Sequence, residues 1–242
     1  MTETQYLKKY DITSYDRPSV AVDNVLFVID ELPNDNIRKL ADRRLQVLLV
    51  KRAEHPFMNK WGLPGTFLRM NETFEKASIR CLKLKSNIND IHLEQLYSFG
   101  EVKRDPRHRV ISISYMGLMN KNQCVLEDVS ENAEWFTIKD DKVQGAGNLA
   151  FDHANIIEYG LQRIRNKLEY TDIAFSLLSK QFTLAELQQV YELILGKKFS
   201  KANFQRKIKS KVTCLDEYQK GGFRPALLYR QNTRKNAEKR ST

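Results

Sequence analysis

The chain has 242 residues, of which 41% are hydrophobic and 29% charged. That balance fits one large or two modest globular domains and excludes a disordered chain. No run approaches the roughly 18–20 apolar residues of a membrane helix, and the polar start MTETQYLKKYDITSYDRP lacks the apolar core of a signal peptide. Cys81, Cys124 and Cys214 are far apart and lack metal-ligand spacing, so they read as reduced thiols of a cytoplasmic protein. The net charge of +10 is unevenly spread: residues 197–242 hold 14 Lys/Arg and 3 Asp/Glu, and the rest of the chain holds 26 and 27. A basic excess confined to the C-terminal fifth points to a nucleic-acid or acidic-membrane contact there. From 197 to 230 the cations are interleaved with apolar residues, as in a folded element. Asn232 to Thr242 read as a solvated basic tail.

Strands dominate the first half. Ser19–Asp30 and Leu45–Lys51 are rich in aliphatic and β-branched residues, and the polar stretch between them reads as a loop. Further strands are expected at Gln95–Glu101, Val110–Leu118 and Glu134–Thr137. A helix is expected to start near Glu72, because Phe74, Ala77, Ser78, Cys81 and Leu82 form the stripe of a helix packed on one face. Strands interrupted by one helix predict an α/β or α+β sandwich. Gly145, Gly147 and Asn148 mark a loop. A helix from about His153 to Glu169 follows, with Ile157, Leu161, Ile164 and Leu168 on one side, suited to a connector or a dimer contact.

The third part is sharper. Thr183 and Glu186 have the spacing of a capping box, in which hydroxyl and carboxylate satisfy free N–H groups at a helix start. Leu187, Val190, Tyr191, Ile194 and Leu195 make an apolar stripe, and Gly196 ends the helix. A second helix is expected after Ser200, with Phe204 and Ile208 inward and Gln205, Arg206 and Lys209 on the far side. The runs KVTCL and ALLYR follow, joined by a loop with Gly221, Gly222 and Arg224. Helix, turn, basic helix and Gly-tipped hairpin are the parts of a winged helix-turn-helix.

The segment Trp61–Ile88, WGLPGTFLRMNETFEKASIRCLKLKSNI, resembles the Nudix box: Gly, five residues, Glu, seven residues, then R-E-U-x-E-E-x-G-U with U aliphatic. Glu72, Arg80, Leu82 and Ile88 match it. Thr66 and Asn87 replace its glycines, and Cys81, Leu84 and Lys85 replace the three glutamates after the arginine. Positions 81, 84 and 85 share a helix face by spacing. In active family members that face holds Mg²⁺ against a pyrophosphate. Hard cations need oxygen ligands, and the metal activates water and neutralises phosphoryl charge. A thiol, an isobutyl group and an ammonium supply none of this. No enzyme activity, metal or cofactor is therefore expected.

A closer resemblance joins both halves. KRDPR before a strand, AFDH at Ala150–His153, FTLAELQQVYELILGK at 182–197, NFQRKI at 203–208 and RPALLYR at 224–230 resemble the Nudix-related transcriptional regulators, the NrtR group. The resemblance implies an α+β chain, a Nudix α/β/α sandwich followed by a winged helix-turn-helix. The expected divisions are an N-terminal segment (1–17), a degenerate Nudix effector domain (18–152), a connecting helix (153–170), the DNA-binding domain (171–231) and the tail (232–242). Implied partners are double-stranded operator DNA, bound as a homodimer in a repressor role, and a small effector. The Arg-rich turn and the group's usual habit put ADP-ribose first and a sugar such as arabinose second. The expected effector contacts are Arg52, Glu72, Arg80, Arg104, Asp105 and Arg107. The expected DNA contacts are Lys201, Asn203, Gln205, Arg206, Lys207, Lys209, Lys211 and Arg224. Two rival readings fare worse. An active hydrolase of nucleoside diphosphate derivatives needs carboxylates at 81, 84 and 85, and an RNA-binding scaffold needs interleaved aromatics that the basic tail lacks.

Overall fold

The computed structural model describes residues 1–32, 40–88, 91–120, 132–219 and 225–232. A short capped helix α1 (Glu3–Lys9) precedes strand β1 (Ser19–Glu31), which runs antiparallel to β2 (Arg43–Lys51). Strands β3 (Trp61–Gly62) and β4 (Gly65–Phe67) pair with β2 and β1 in turn. Helix α2 (Phe74–Ser86) follows, then β5 (Leu93–Phe99), β6 (Val110–Asn120), β7 (Ala133–Lys139) and β8 (Lys142–Val143). The main path of the sheet is β5-β6-β1-β2-β7-β8, with β1 and β6 parallel.

Buried residues alternate around β1 and β2, so each face of the sheet carries its own core. Val25, Phe27, Val47 and Leu49 face one cluster; Leu26, Val28 and Leu48 face another with Leu82 of α2. Helix α3 (His153–Tyr170) lies on the first face. Its Gly160 admits the Phe27 ring, which would stand 3.1 Å from a Cβ placed there.

After α3, a 3₁₀ turn (Ile173–Leu177) leads to β9 (Phe182–Thr183), α4 (Leu184–Leu195) and α5 (Lys201–Ile208). Strands β10 (Val212–Tyr218) and β11 (Leu227–Gln231) complete a small sheet of order β10-β11-β9. Thr183 and Glu186 form both bonds of the capping box, and Gly196 ends α4 in the left-handed region at φ 64°. The core of this unit, including Leu187, Val190, Tyr191, Phe204 and Ile208, is continuous with the cluster on β1, β2 and α3. The two units are thus joined by packed side chains as well as by the chain.

Helix α2, expected to start near Glu72, begins at Phe74, where the Thr73 hydroxyl caps it by accepting from the Lys76 N–H. Two expectations need correction. Strand β5 ends at Phe99 rather than Glu101. The N-terminal segment, read only as polar, forms α1.

Candidate effector cleft and nucleic-acid interface

Strand β1 reads as an apolar run broken by Asp23 and Asn24, both buried. Buried charge and amide need partners, and the Leu63-Pro64-Gly65 turn meets some of that need. The Asn24 backbone N–H and side-chain amide both donate to Pro64 O, at 2.9 and 3.1 Å. Gly65 then passes so close that a Cβ would stand 2.2 Å from Asp23 Oδ1. Asp23 also accepts from Ser112 Oγ at 2.6 Å and pairs with Arg104 at 3.3 Å. Arg104 is buried, and its guanidinium is shared between Asp23 and Asp152. His153, at the start of α3, accepts the Leu63 N–H on Nδ1 at 2.8 Å and places Nε2 3.6 Å from Asp23. Burial lowers the His153 pKa, with the neighbouring carboxylates pulling the other way.

This buried network floors a cleft of about 450 Å³, within the usual size of small-ligand sites. Arg52, Arg104, Asp105 and Arg107, which the sequence singled out, all line it, together with Lys51, Phe67, Lys85 and Phe151. Phe151 takes a positive φ of 53°. Its ring lies 4.8 Å from the Arg52 guanidinium and 5.9 Å from that of Arg107. Phe67 adds a second ring, 5.3 Å from Arg107. Arg107 is held by Asp105, which accepts its guanidinium at 2.7 and 3.0 Å, and Arg52 by Pro56 O at 2.7 Å. Burial, and then the charge of Arg107, lower the Arg52 pKa. Two guanidiniums beside aromatic faces in a half-open cleft suit a planar group and an anion.

Glu72 and Arg80 do not line the cleft. They pair with each other, Nε to Oε2 at 2.9 Å, while Arg80 also donates to Thr66 Oγ1 and Phe67 O. These bonds fasten the β4–α2 loop onto the helix. Sequence reading missed Asp23, His153, Phe67 and Phe151 as parts of the site. A lone aspartate in an apolar strand and the AFDH run were the available signals.

A Nudix fold implies a divalent cation, and the donors present do not fit one. Cys81 is buried, with its thiol pKa raised to about 11 chiefly by burial. Leu84 is exposed, and Lys85 Nζ donates to Gly65 O at 2.6 Å. Asp23, Asp105 and Glu72 each bind a guanidinium. Among the described residues no group of three His, Cys, Asp or Glu is placed to hold a metal.

The second region is α5. Its Phe204 and Ile208 are buried, while Lys201, Asn203, Gln205, Arg206 and Lys207 on the helix, and Lys209 just after it, are exposed. The Ser200 hydroxyl caps its start, accepting from the Asn203 N–H. Arg206 donates to Asn203 Oδ1 at 3.0 Å, one turn back, and Lys207 lies over Tyr191 and Phe199. Lys211 departs from the expected phosphate-facing position. It turns inward to Thr171 O at 2.8 Å and Asp172 at 3.0 Å, tying the end of the helical segment to the connector. Arg224, expected at the wing tip, lies outside the described residues.

Sandwich, cationic cleft and basic winged helix together define a Nudix domain coupled to a nucleic-acid-binding head. Family comparison agrees: the NUDIX domain family matches residues 35–159, and the NrtR DNA-binding winged helix domain matches residues 174–231. The "ADPR responsive transcriptional repressor NtrR" of Acinetobacter baylyi is 33% identical over 234 residues, covering 95% of this chain and 88% of its own. The crystal structure of Shewanella oneidensis NrtR complexed with a 27mer DNA superposes with TM-score 0.71 at 32% identity, over 88% of this chain and 93% of that one. The NUDIX domain of the same protein complexed with ADP ribose gives 0.54 at 33% identity, over 68% and 99%. The chain belongs to the NrtR-type transcriptional regulators.

Proposed function

We propose that this protein is a non-catalytic sensor that binds operator DNA as a homodimer and releases it when ADP-ribose occupies the Nudix cleft. The observation that carries this reading is the cleft itself: guanidiniums and aromatic rings surround a space whose metal-binding glutamates have been replaced. Arg52 and Arg107 would take the diphosphate, with Asp105 and Arg104 holding the walls. Glu72 and Arg80 would act indirectly, by shaping the loop that carries Phe67.

Lys201, Asn203, Gln205, Arg206, Lys207 and Lys209 form the proposed DNA face, assisted by Arg224. Base-edge contacts by Gln205 and Arg206 would read sequence, and the lysines would set affinity through phosphates. Effector control requires that ADP-ribose prefer one arrangement of the domains. The working divisions remain 18–152, 153–170 and 171–231, and the proposed place of action is the cytoplasm. In keeping with this, no helix among the described residues is long and apolar enough to cross a membrane.

The test is binding to DNA from the protein's own upstream region at two salt concentrations, with and without ADP-ribose. Specific binding lost on adding ADP-ribose supports the proposal. Specific binding indifferent to ADP-ribose but sensitive to arabinose replaces the effector. Absence of specific binding at any salt overturns the proposal.

A further inference from the structure

We infer that the turn at the head of α3 is a two-state switch: in one state Asp152 pairs with Arg104 of the cleft, and in the other its carboxylate caps α3. The inference deepens, and rests on, the effector reading above, since it names how the cleft acts on the winged helix. Among the described residues the other four α-helices are each capped by the side chain of the residue before them, Thr2, Thr73, Thr183 and Ser200. The longest, α3, has no such cap, although aspartate is among the residue types that favour the position. The caps of α2, α4 and α5 have extended backbone, with ψ 166°, 156° and 139°, whereas Asp152 stands at ψ 20°. Its carboxylate accepts two bonds from Arg104 instead, at 2.6 and 2.9 Å.

The backbone just before Asp152 is strained. Among the described residues seven non-glycine residues take a positive φ, and five of them are Asn or Asp, which tolerate the left-handed region. The other two are Phe57 and Phe151, at 61° and 53°. Their rings meet edge to face at 4.9 Å, and the Arg52 guanidinium lies 4.8 Å from the Phe151 ring. On the other side of Asp152, His153 accepts the Leu63 N–H. Three consecutive side chains thus hold this turn from the cleft, against a left-handed phenylalanine and an uncapped helix. Such strain persists only while the surroundings impose it.

A ligand changes those surroundings. Arg52 and Arg107 are the proposed diphosphate contacts, and Arg107 shares its turn with Arg104. A ligand that reorients Arg52 and shifts that turn loosens Phe151 and Asp152 together. Once released, Phe151 leaves the left-handed region, and Asp152 takes the extended backbone that lets it accept N–H groups of the first turn of α3. The rest of α3 follows its head. It is fastened to the winged-helix unit where Arg165 donates to Ile194 O at the end of α4, at 2.9 Å, and where Lys211 donates to Thr171 O just past α3, at 2.8 Å. Each state has its own partners for Asp152, which is what an effector needs in order to favour one of them.

The experiment reads amide hydrogen exchange at Ala154 and Asn155 of the full chain by NMR, beside operator binding by fluorescence anisotropy. Saturating ADP-ribose should slow exchange at both amides by roughly fivefold, the usual worth of a cap. Asp152→Asn gives up the ion pair and keeps a capping oxygen. It should show the slow exchange without ligand and bind operator severalfold more weakly. Phe57→Ala, which frees Phe151 from a residue outside the cleft lining, should do the same. Asp152→Ala can form neither partnership, and ADP-ribose should not slow its exchange. A merely structural ion pair predicts the reverse for Asp152→Asn, faster exchange at the head of α3. Thermal melts check that the variants fold. Unchanged or faster exchange in Asp152→Asn, or operator release by ADP-ribose without slowing at Ala154 and Asn155, overturns the switch and leaves ADP-ribose as effector. If ADP-ribose has no effect on the parent protein, the effector reading fails, and the ligand-free comparison still decides: exchange slower in Asp152→Asn than in the parent upholds the switch, and equal or faster exchange refutes it.

Discussion

Arg43, at the start of β2, pairs with Glu186 of α4 at 3.0 Å across the boundary between the Nudix unit and the winged helix. The Arg43 side chain is almost wholly buried, and it also binds Glu31 and Gln189. Glu186 in turn accepts the Thr183 N–H in the capping box of α4. The other end of β2 is Lys51, and the next residue, Arg52, lines the cleft. One strand thus runs from the cleft to the helix that packs against α5, the proposed DNA-binding helix. Removing one partner of a buried pair leaves the other uncompensated. Arg43→Ala is expected to lower stability by about 3 kcal/mol in urea unfolding. In the DNA-binding assay it should shrink the effect of ADP-ribose more than it shrinks affinity for operator.

On α5, Arg206→Ala should weaken operator binding by about tenfold and relax discrimination between operator and random DNA. Lys201→Ala should weaken both DNAs alike and reduce the slope of log affinity against log salt by about 0.9, one phosphate contact. Fluorescence anisotropy over a salt series separates the two outcomes. Equal slopes for Lys201→Ala and the parent protein would remove Lys201 from the interface.

His153 makes stability depend on pH. Burial holds its pKa below the ordinary 6.5, so below that pH the unfolded chain binds a proton that the folded chain refuses. Stability contributed by the neutral ring is complete above pH 6.5 and declines as the pH falls beneath it. Urea midpoints at pH 7.5 and 5.5 should differ accordingly. His153→Asn, whose Oδ1 can still accept the Leu63 N–H, should flatten the difference.

Glu72 acts in the same sense but in a lower pH window. Its hydrogen bonds to Arg80, the largest cause, hold its pKa down to about 2 from 4.5. Its contribution is present above pH 4.5 and is lost as the pH falls toward 2. Carboxyl NMR titration of Arg80→Ala should return Glu72 toward 4.5. An unmoved Glu72 would mean that Arg80 does not hold the loop.

Cys81 is expected to be inert in the folded protein. Its burial and raised pKa remove both access and thiolate. Maleimide labelling at pH 8 should modify the partly exposed Cys214 and spare Cys81 until denaturant is added. Labelling of native Cys81 would show that α2 detaches from the sheet.

Much of the second unit was legible because its information is local. The capping box, the αL glycine and the i, i+4 spacing of Phe204 and Ile208 act within one or two turns, and all are realised. The Nudix strands were legible from aliphatic runs. The short strands β3, β4 and β9 were not, since two or three residues leave no period to read and only pairing with β2, β1 and β11 defines them. Lys211 shows the limit in the binding face: its place in a basic run suggested DNA, and a carbonyl and a carboxylate 40 residues upstream or nearly so claim it instead.

By itself the sequence determined the order of a Nudix and a winged-helix domain, the basic helix α5 and the replacement of the box glutamates, because each depends on which residue types occupy fixed local spacings. Tertiary structure alone decided which charges remain available for a ligand. Arg104 and Arg107 are equally cationic in the sequence, yet Arg104 is buried between Asp23 and Asp152, whereas Arg107, held by Asp105, stays exposed beside Phe151. The reason is electrostatic. A charge is compensated by whatever lies within a few ångströms in space, and those neighbours come from strands and helices far apart in the chain.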